Sequence, residues 1–350
     1  MQPILQRTDK GFYCPPGDFY IDPYKPVDRA IITHAHADHA RSGHRHYLTA
    51  ADGFALLKHR MLASAQITPL PYAQSTNYHG VRISLHPAGH VLGSAQVRIE
   101  HKGQIAVITG DYKVQPDQTC APFEPLNCHL IVSESTFALP IYQWQPQSIL
   151  FDQINRWWAT NQDQGLASVL MAYSLGKAQR LLAGIDPTIG PIYCHSAIEP
   201  INQIYRDSGI DLPQTLRATD PQRARSLVLA PPSALASPWM SRFRPFSTAF
   251  ASGWMAMRSK RNRPSVDTGF VLSDHADWNG LISSIKASGA QEVWLTHGYS
   301  TALARYLREI GLDAKSVDTR FRDEFSSTGH DPAGNPPDSV IPELKPAVEQ

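Results

Sequence analysis

Residues 33–39 read Thr33-His34-Ala35-His36-Ala37-Asp38-His39. They follow the apolar run Ala30-Ile31-Ile32, so they stand at the end of a strand. His34 and His36 are two residues apart. In extended backbone alternate side chains share a face, so both rings can address one cation. Asp38 and His39 follow where the chain turns and can address a second cation beside the first. At this chain's His and Asp frequencies an HxHxDH pattern arises by chance roughly twice in a thousand such sequences. The chain also holds 15 His in 350 residues, and histidine is the commonest metal ligand.

Outward from that stretch, three more residues complete two sites. His90 lies in the Gly-rich bend Pro87-Ala88-Gly89-His90-Val91-Leu92-Gly93-Ser94. Asp111 lies just past the apolar run Ile105–Thr109, where a carboxylate can bridge two ions, one oxygen to each. His297 ends the apolar run before Thr296-His297-Gly298. His34, His36, His90 and Asp111 would form one site, and Asp38, His39, Asp111 and His297 the other. Imidazole mixed with carboxylate suits two Zn²⁺ per chain, with Mn²⁺ as a second option.

The 42% hydrophobic and 18% charged composition is that of a folded globular chain. At 350 residues two structural units are expected. No apolar run reaches membrane-spanning length, and Met1–Gly11 lacks the pattern of a secretory signal, which points to the cytoplasm. Cys14, Cys120, Cys128 and Cys194 are scattered, as expected of reduced thiols. Net charge is +1, yet residues 216–263 carry nine basic side chains against one acid, a local +8. Such a patch suits a polyanionic substrate. Trp239, Phe250 and Trp254 interleave with it and could stack bases. Residues 1–140 read as short strands and turns. Strand–helix alternation from 141 marks an α/β unit with parallel strands. There Ser196 would cap a helix Ala197–Asp207. In Ser174-Leu175-Gly176-Lys177 a strand runs into a helix N-terminus, where a phosphate could be held. Residues 326–350 read as a disordered acidic tail.

These motifs resemble those of the metallo-β-lactamase superfamily, in its nucleic-acid branch, the β-CASP nucleases, over about residues 10–325. His34, His36, Asp38 and His39 match the family's second motif, His90 the third and Asp111 the fourth. Asp22 matches the first, whose acid orients the ligand histidines. Glu134, His275 and His297 match the acidic, histidine and final motifs that separate this branch from lactamases. Family members acting on RNA usually have His at the last position, and the eukaryotic crosslink-repair enzymes usually Val. A narrower resemblance is to the bacterial ligase-associated DNA exonucleases, through Phe250–Arg258, Gly269–Leu281 and Thr296–Tyr299.

The resemblance implies an αββα sandwich, residues 1–140 and 268–325, with an inserted α/β β-CASP domain at 141–267. It implies a metal-dependent DNA exonuclease in repair, with functional association to an ATP-dependent DNA ligase and a helicase. A hydroxide bridging the ions would attack phosphorus, His275 would protonate the leaving oxygen, and Glu134 would aim His275. Lys177, Arg258, Lys260, Arg261 and Arg263 would bind the backbone of DNA. Three alternatives stand beside this reading: the same chemistry on RNA, a small-molecule hydrolase, and a non-catalytic scaffold subunit.

Overall fold

A computed structural model of the chain describes residues 3–217, 225–235, 237–257 and 266–317. The first sheet runs in chain order through β1 (Gln6–Thr8), β2 (Gly11–Cys14), β3 (Phe19–Ile21), β4 (Arg29–Ile31), β5 (His46–Ala50) and β6 (Gln66–Leu70), with helix α1 (Phe54–Arg60) before β6. Its first three strands are antiparallel, and β3 to β6 are parallel. The second sheet opens with β7 (Ser75–Tyr78), β8 (Val81–Pro87), β9 (Ala95–His101), β10 (Gln104–Ile108) and β11 (Leu130–Glu134).

The chain then builds a third sheet. Its elements are α2 (Gln147–Asp163), β12 (Ala167–Met171), α3 (Lys177–Gly184), β13 (Ile192–Cys194), α4 (Glu199–Asp207), β14 (Leu216–Arg217), β15 (Leu227–Ala230), β16 (Phe246–Ala251) and β17 (Thr268–Phe270). The strand order is β14-β13-β15-β12-β16-β17, and every pairing is parallel. Helix α5 (Trp278–Ala287), β18 (Glu292–Thr296), α6 (Ser300–Glu309) and β19 (Asp313–Ser316) then return to the second sheet, where β18 pairs with β11.

Side-chain alternation explains how the layers stack. In β10 and β11, Ala106, Ile108, Leu130 and Val132 face the first sheet and share a core with Phe12, Ile21, Ile31 and Leu48. Val107 and Ile131 point the other way, onto Leu281 and Ile285 of α5 and Leu303 and Leu307 of α6. Both faces are covered, so β11 reads as an unbroken buried run. On the outer face of the first sheet Leu57 of α1 packs on Ala30, Ile32 and Tyr47. The third sheet alternates likewise, with Leu227 and Leu229 toward α2, α3 and α4 and Val228 and Ala230 toward Met240 and Phe243.

The helix-facing core of the third sheet also takes in Ala35, Leu56 and Leu92. Tyr205 Oη of α4 accepts the Leu92 backbone N–H at 3.2 Å. The third sheet is therefore seated on the loops that bear His34–His39 and His90. Strand β17 pairs with β16, which extends this sheet to Phe270, three residues past the boundary expected at 267. The helix expected from Ala197 begins instead at Glu199. Ahead of it His195 Nδ1 accepts the Ala197 N–H, and Pro200 sits in its first turn. The tail at 326–350 lies outside the described residues. Among those that are described, no helix is long and apolar enough to cross a membrane.

The loop carrying His90 closes against the turn before α1 through two glycines. Gly93 has φ +72°, and a Cβ there would lie 2.0 Å from the Gly53 backbone. Gly93→Ala should lower stability by roughly 2–4 kcal/mol, from left-handed strain plus overlap. An unchanged urea midpoint in that variant would refute this packing.

Candidate metal centre and active site

His34, His36, His39, His90 and His297 all stand past the ends of strands of the first or second sheet, whereas His275 follows β17 of the third. Just past β4, Asp22 accepts from Thr33 N at 2.8 Å and Thr33 Oγ1 at 2.6 Å, which pins the start of the 33–39 loop. The Ala40 N–H then donates to the His36 carbonyl, so the loop curls and returns His39 toward His34. The His90 loop leaves β8 and is closed by Ser94 Oγ, which accepts from the amides of His90 and Val91. Asp111 follows β10 after Gly110, where a Cβ would meet Thr33 at 2.7 Å. His297 ends β18 at φ +61°, its carbonyl 2.6 Å from Ser135 Oγ.

Two groups of mostly imidazole donors result, beside a third made of Asp111, Glu134 and His275. His34, His36, His90 and Asp111 place one ligand atom each within 4.8 Å of one another, and so do His39, Asp111 and His297. His34 Nε2 and His90 Nε2 are each 3.1 Å from His36 Nδ1. Nitrogens about 2.0–2.1 Å from a tetrahedral zinc ion would be roughly 3.3 Å apart, so the triangle is of ligand size. Asp111 Oδ2 lies 3.6 Å from His34 Nε2 and 3.5 Å from His39 Nε2, between the two groups. Asp111 Oδ1 is buried with no hydrogen-bond donor among the described residues. Asp38 stands at the rim, partly exposed, its Oδ2 3.7 Å from His39 Nε2.

The tautomers follow from the outer bonds. His90 Nδ1 lies 2.7 Å from the Asp274 carbonyl and His36 Nε2 3.1 Å from the Leu175 carbonyl. A carbonyl only accepts, so both nitrogens carry protons and the opposite nitrogens face inward as lone pairs. The Thr33 hydroxyl, committed to Asp22, accepts from His34 Nδ1 at 3.1 Å. The Thr296 hydroxyl, directed at the Ser133 carbonyl, accepts from His297 Nδ1 at 2.8 Å. His39 Nδ1 donates to Asp22 Oδ2 at 2.7 Å. Five imidazole lone pairs and a carboxylate thus converge in a buried space, a donor set that fits two divalent cations.

Charge follows the same geometry. Burial holds His34 well below the ordinary histidine range, and burial with the neighbouring His275 pushes His90 down to about 3. Burial also opposes protonation of His39, but Asp111, Asp38 and Asp22 override it and hold that ring well above 6.5. Asp111 is held well below the usual carboxylate range by His39, against its own burial.

Glu134 and His275 form a second buried unit. His275 Nδ1 lies 2.9 and 2.8 Å from the two Glu134 oxygens. Glu134 also accepts from Tyr112 N at 2.7 Å and Thr136 Oγ1 at 2.6 Å. The His275 ring centroid is 4.7 Å from that of His90. Beside it stand Phe137, Tyr142, Trp144, Trp254 and Tyr299 as an aromatic wall.

Lys177 is only 1% exposed and its ammonium group faces Asp274 at 3.5 Å and the Tyr173 ring at 4.9 Å. It is turned inward, away from a phosphate backbone passing over the surface. Arg258, Lys260, Arg261 and Arg263 lie outside the described residues. Phe250 is core and Trp239 packs on Phe243, whereas Trp254 is half-buried in the wall beside His275. Thr33, Thr296, Asp274 and Arg180 go unread in the sequence. The repeated pair Thr-His at 33–34 and 296–297 is the one local signal that points to two of them.

No family model matches the chain. A protein named probable DNA ligase from Opitutus terrae is 32% identical over 315 residues, 89% of this chain and 31% of that protein. Cleavage and polyadenylation specificity factor 73 of Drosophila melanogaster is 30% identical over 126 residues, 35% of this chain and 18% of that protein. Endoribonuclease YSH1 of Saccharomyces cerevisiae is 27% identical over 123 residues, 35% of this chain and 16% of that protein. The chain spans less than a third of the length of these relatives. A solved structure of a protein of unknown function from Enterococcus faecalis V583 shares the fold, with TM-score 0.58 at 12% identity, over 84% of this chain and 80% of that one.

A cation taken up by His39 must displace the proton that the carboxylates hold on it. Because that ring titrates above 6.5, affinity for Co²⁺ should keep rising with pH beyond 6.5, with proton release on binding. Titration calorimetry in buffers of different ionisation enthalpy measures both, and a pH-independent affinity with no released proton would refute the assignment.

Proposed function

We propose that this chain, which belongs to the β-CASP branch of the metallo-β-lactamase superfamily, is a metal-dependent nuclease that hydrolyses phosphodiester bonds in DNA. The observation that carries the reading is the buried Glu134–His275 pair one ring away from His90. A small-molecule hydrolase has no evident use for such a proton donor beside two cation sites. The two facing sheets with helices outside them, within residues 3–140 and 271–317, support an αββα sandwich. The parallel third sheet, extended to Phe270, supports an inserted β-CASP domain.

His34, His36, His90 and Asp111 would hold one cation, and Asp38, His39, Asp111 and His297 the other, with Zn²⁺ the best match to the donors. Bound there, the cations supply Lewis acidity toward the phosphodiester and activation of water. The chain's own residues do the rest. Asp22, Thr33, Thr296 and the carbonyls of Leu175 and Asp274 hold the imidazoles in orientation. Glu134 accepts from His275 Nδ1 and aims the ring, so that Nε2 delivers a proton to the leaving 3′ oxygen as general acid. Products would carry 5′-phosphate and 3′-hydroxyl ends. The wall of Trp254, Trp144 and Tyr299 offers faces for base stacking.

DNA as substrate is supported by the relative named as a probable DNA ligase, since 89% of this chain aligns within it; exonuclease action and a role in repair rest on the narrower resemblance carried by Phe250–Arg258, Gly269–Leu281 and Thr296–Tyr299. That relative also supports functional association with a DNA ligase. An RNA substrate is the second reading, favoured by His297 and by the relatives named as endoribonucleases. End-labelled DNA and RNA of one sequence, incubated with Zn²⁺ or Mn²⁺, should separate these readings. Faster RNA cleavage would overturn the first, and no cleavage of either would overturn both. His275→Ala should keep both metal equivalents by elemental analysis and lose about 10²–10⁴-fold in turnover. Undiminished turnover would remove His275 from the reaction.

A further inference from the structure

Two of the three imidazoles in the first donor group are held from the third sheet. The loop after β12 gives the Leu175 carbonyl to His36, and the segment after β17 gives the Asp274 carbonyl to His90. Strands β12 and β17 run parallel in one sheet, so both loops leave from the same edge. Gly176, at φ +91°, lets the first loop approach, since a Cβ there would meet Val91 at 2.3 Å.

The segment 273–276 carries two functions at once. The carbonyl of Asp274 orients His90, and the next residue is His275. Arg180 of α3 grips this segment. Its Nη1 donates to the Ser273 carbonyl at 2.5 Å and to Asp274 Oδ1 at 3.0 Å. Lys177, one helical turn earlier, faces Asp274 Oδ2 at 3.5 Å. The far side of Arg180 is anchored by Gln147 Oε1 at 3.3 Å and by Asp117 at 3.5 Å, and Asp117 also pairs with Lys113. Lys113 itself ties back to the His90 loop, its amide donating to the Ala88 carbonyl at 3.0 Å.

Lys113, Lys177, Arg180 and Asp274 are at most 3% exposed. Buried ion pairs seldom stabilise a fold more than apolar residues of the same volume, so stability alone gives little reason for these charges. A planar, multiply bonded guanidinium does, however, fix a backbone segment in one place.

We propose that Arg180, acting with Lys177 through Asp274, is a positioning residue of the metal centre: from the third sheet it sets the carbonyl that orients His90 and the approach of His275. The third sheet is then part of the cation site. This inference rests on the metal centre proposed above and is independent of whether the substrate is DNA or RNA.

The test is Co²⁺ titration of the full chain, followed by visible absorption, for the unaltered protein, Arg180→Lys and Asp274→Asn. Arg305→Ala, which breaks an exposed pair on α6, serves as control. In both site variants one Co²⁺ equivalent should weaken by about 10–100-fold with a changed spectrum, the effect usual for loss of a ligand's outer partner. The equivalent held by His39, Asp111 and His297 should keep its affinity. Arg180→Lys keeps the charge beside Asp274 and should lose less than Asp274→Asn. Near-ultraviolet circular dichroism of the metal-free proteins shows which variants are folded. Should Asp274→Asn not fold, Arg180→Lys decides alone. Folded variants that bind both equivalents with unaltered affinity and spectrum overturn the proposal. An unaltered chain that takes up no Co²⁺ overturns the metal centre itself and this inference with it.

Discussion

Five imidazoles and a carboxylate share a space a few ångströms across, almost free of solvent, because each ring has an acceptor for its outward N–H. The acceptors are a carboxylate (Asp22), two hydroxyls (Thr33 and Thr296) and two backbone carbonyls (Leu175 and Asp274). Each bond sets one tautomer and turns one lone pair inward. Without these partners the rings would be free to rotate and their inward nitrogens would not converge.

The three sheets are arranged to meet that demand. The first two bury their shared apolar faces, and the strand ends that carry Asp22, His34, Asp111, Glu134 and His297 therefore collect along one edge. His90 arrives from a glycine-closed loop on the same side. The third sheet packs its helix-bearing core onto those loops through Leu92, Leu56 and Ala35. It thereby brings Leu175 and Asp274 to rings that the first two sheets leave half-held. The His275–Glu134 pair reflects the same logic. One member comes from β11 of the second sheet and the other from the segment that leaves the third.

Much of this was open to inspection before any coordinates. The HxHxDH run, His90 between glycines, and Asp111 and His297 after apolar strands all carry local signals, and the structure brings those residues together. The alternation of strand and helix after residue 141 marked the parallel third sheet. Short or polar strands such as β1 (Gln6–Thr8), β7 (Ser75–Tyr78) and β19 (Asp313–Ser316) left little trace, since sheet edges need few apolar side chains. Lys177 illustrates the opposite failure. A lysine at the first position of a helix reads locally as a phosphate contact, yet packing turns it inward onto Asp274.

The sequence by itself determined which side chains can ligate and where strands deliver them, because a ligand's identity and its place at a strand end are local properties. Only the tertiary structure decided which nitrogen of each histidine faces inward, that Asp111 lies between the two groups, and that Arg180 and Asp274 brace the site. Those facts depend on contacts between residues such as His90 and Asp274, 184 positions apart in the chain. No periodicity or spacing encodes a hydrogen bond of that range, and it exists only once separately buried cores have closed on one another.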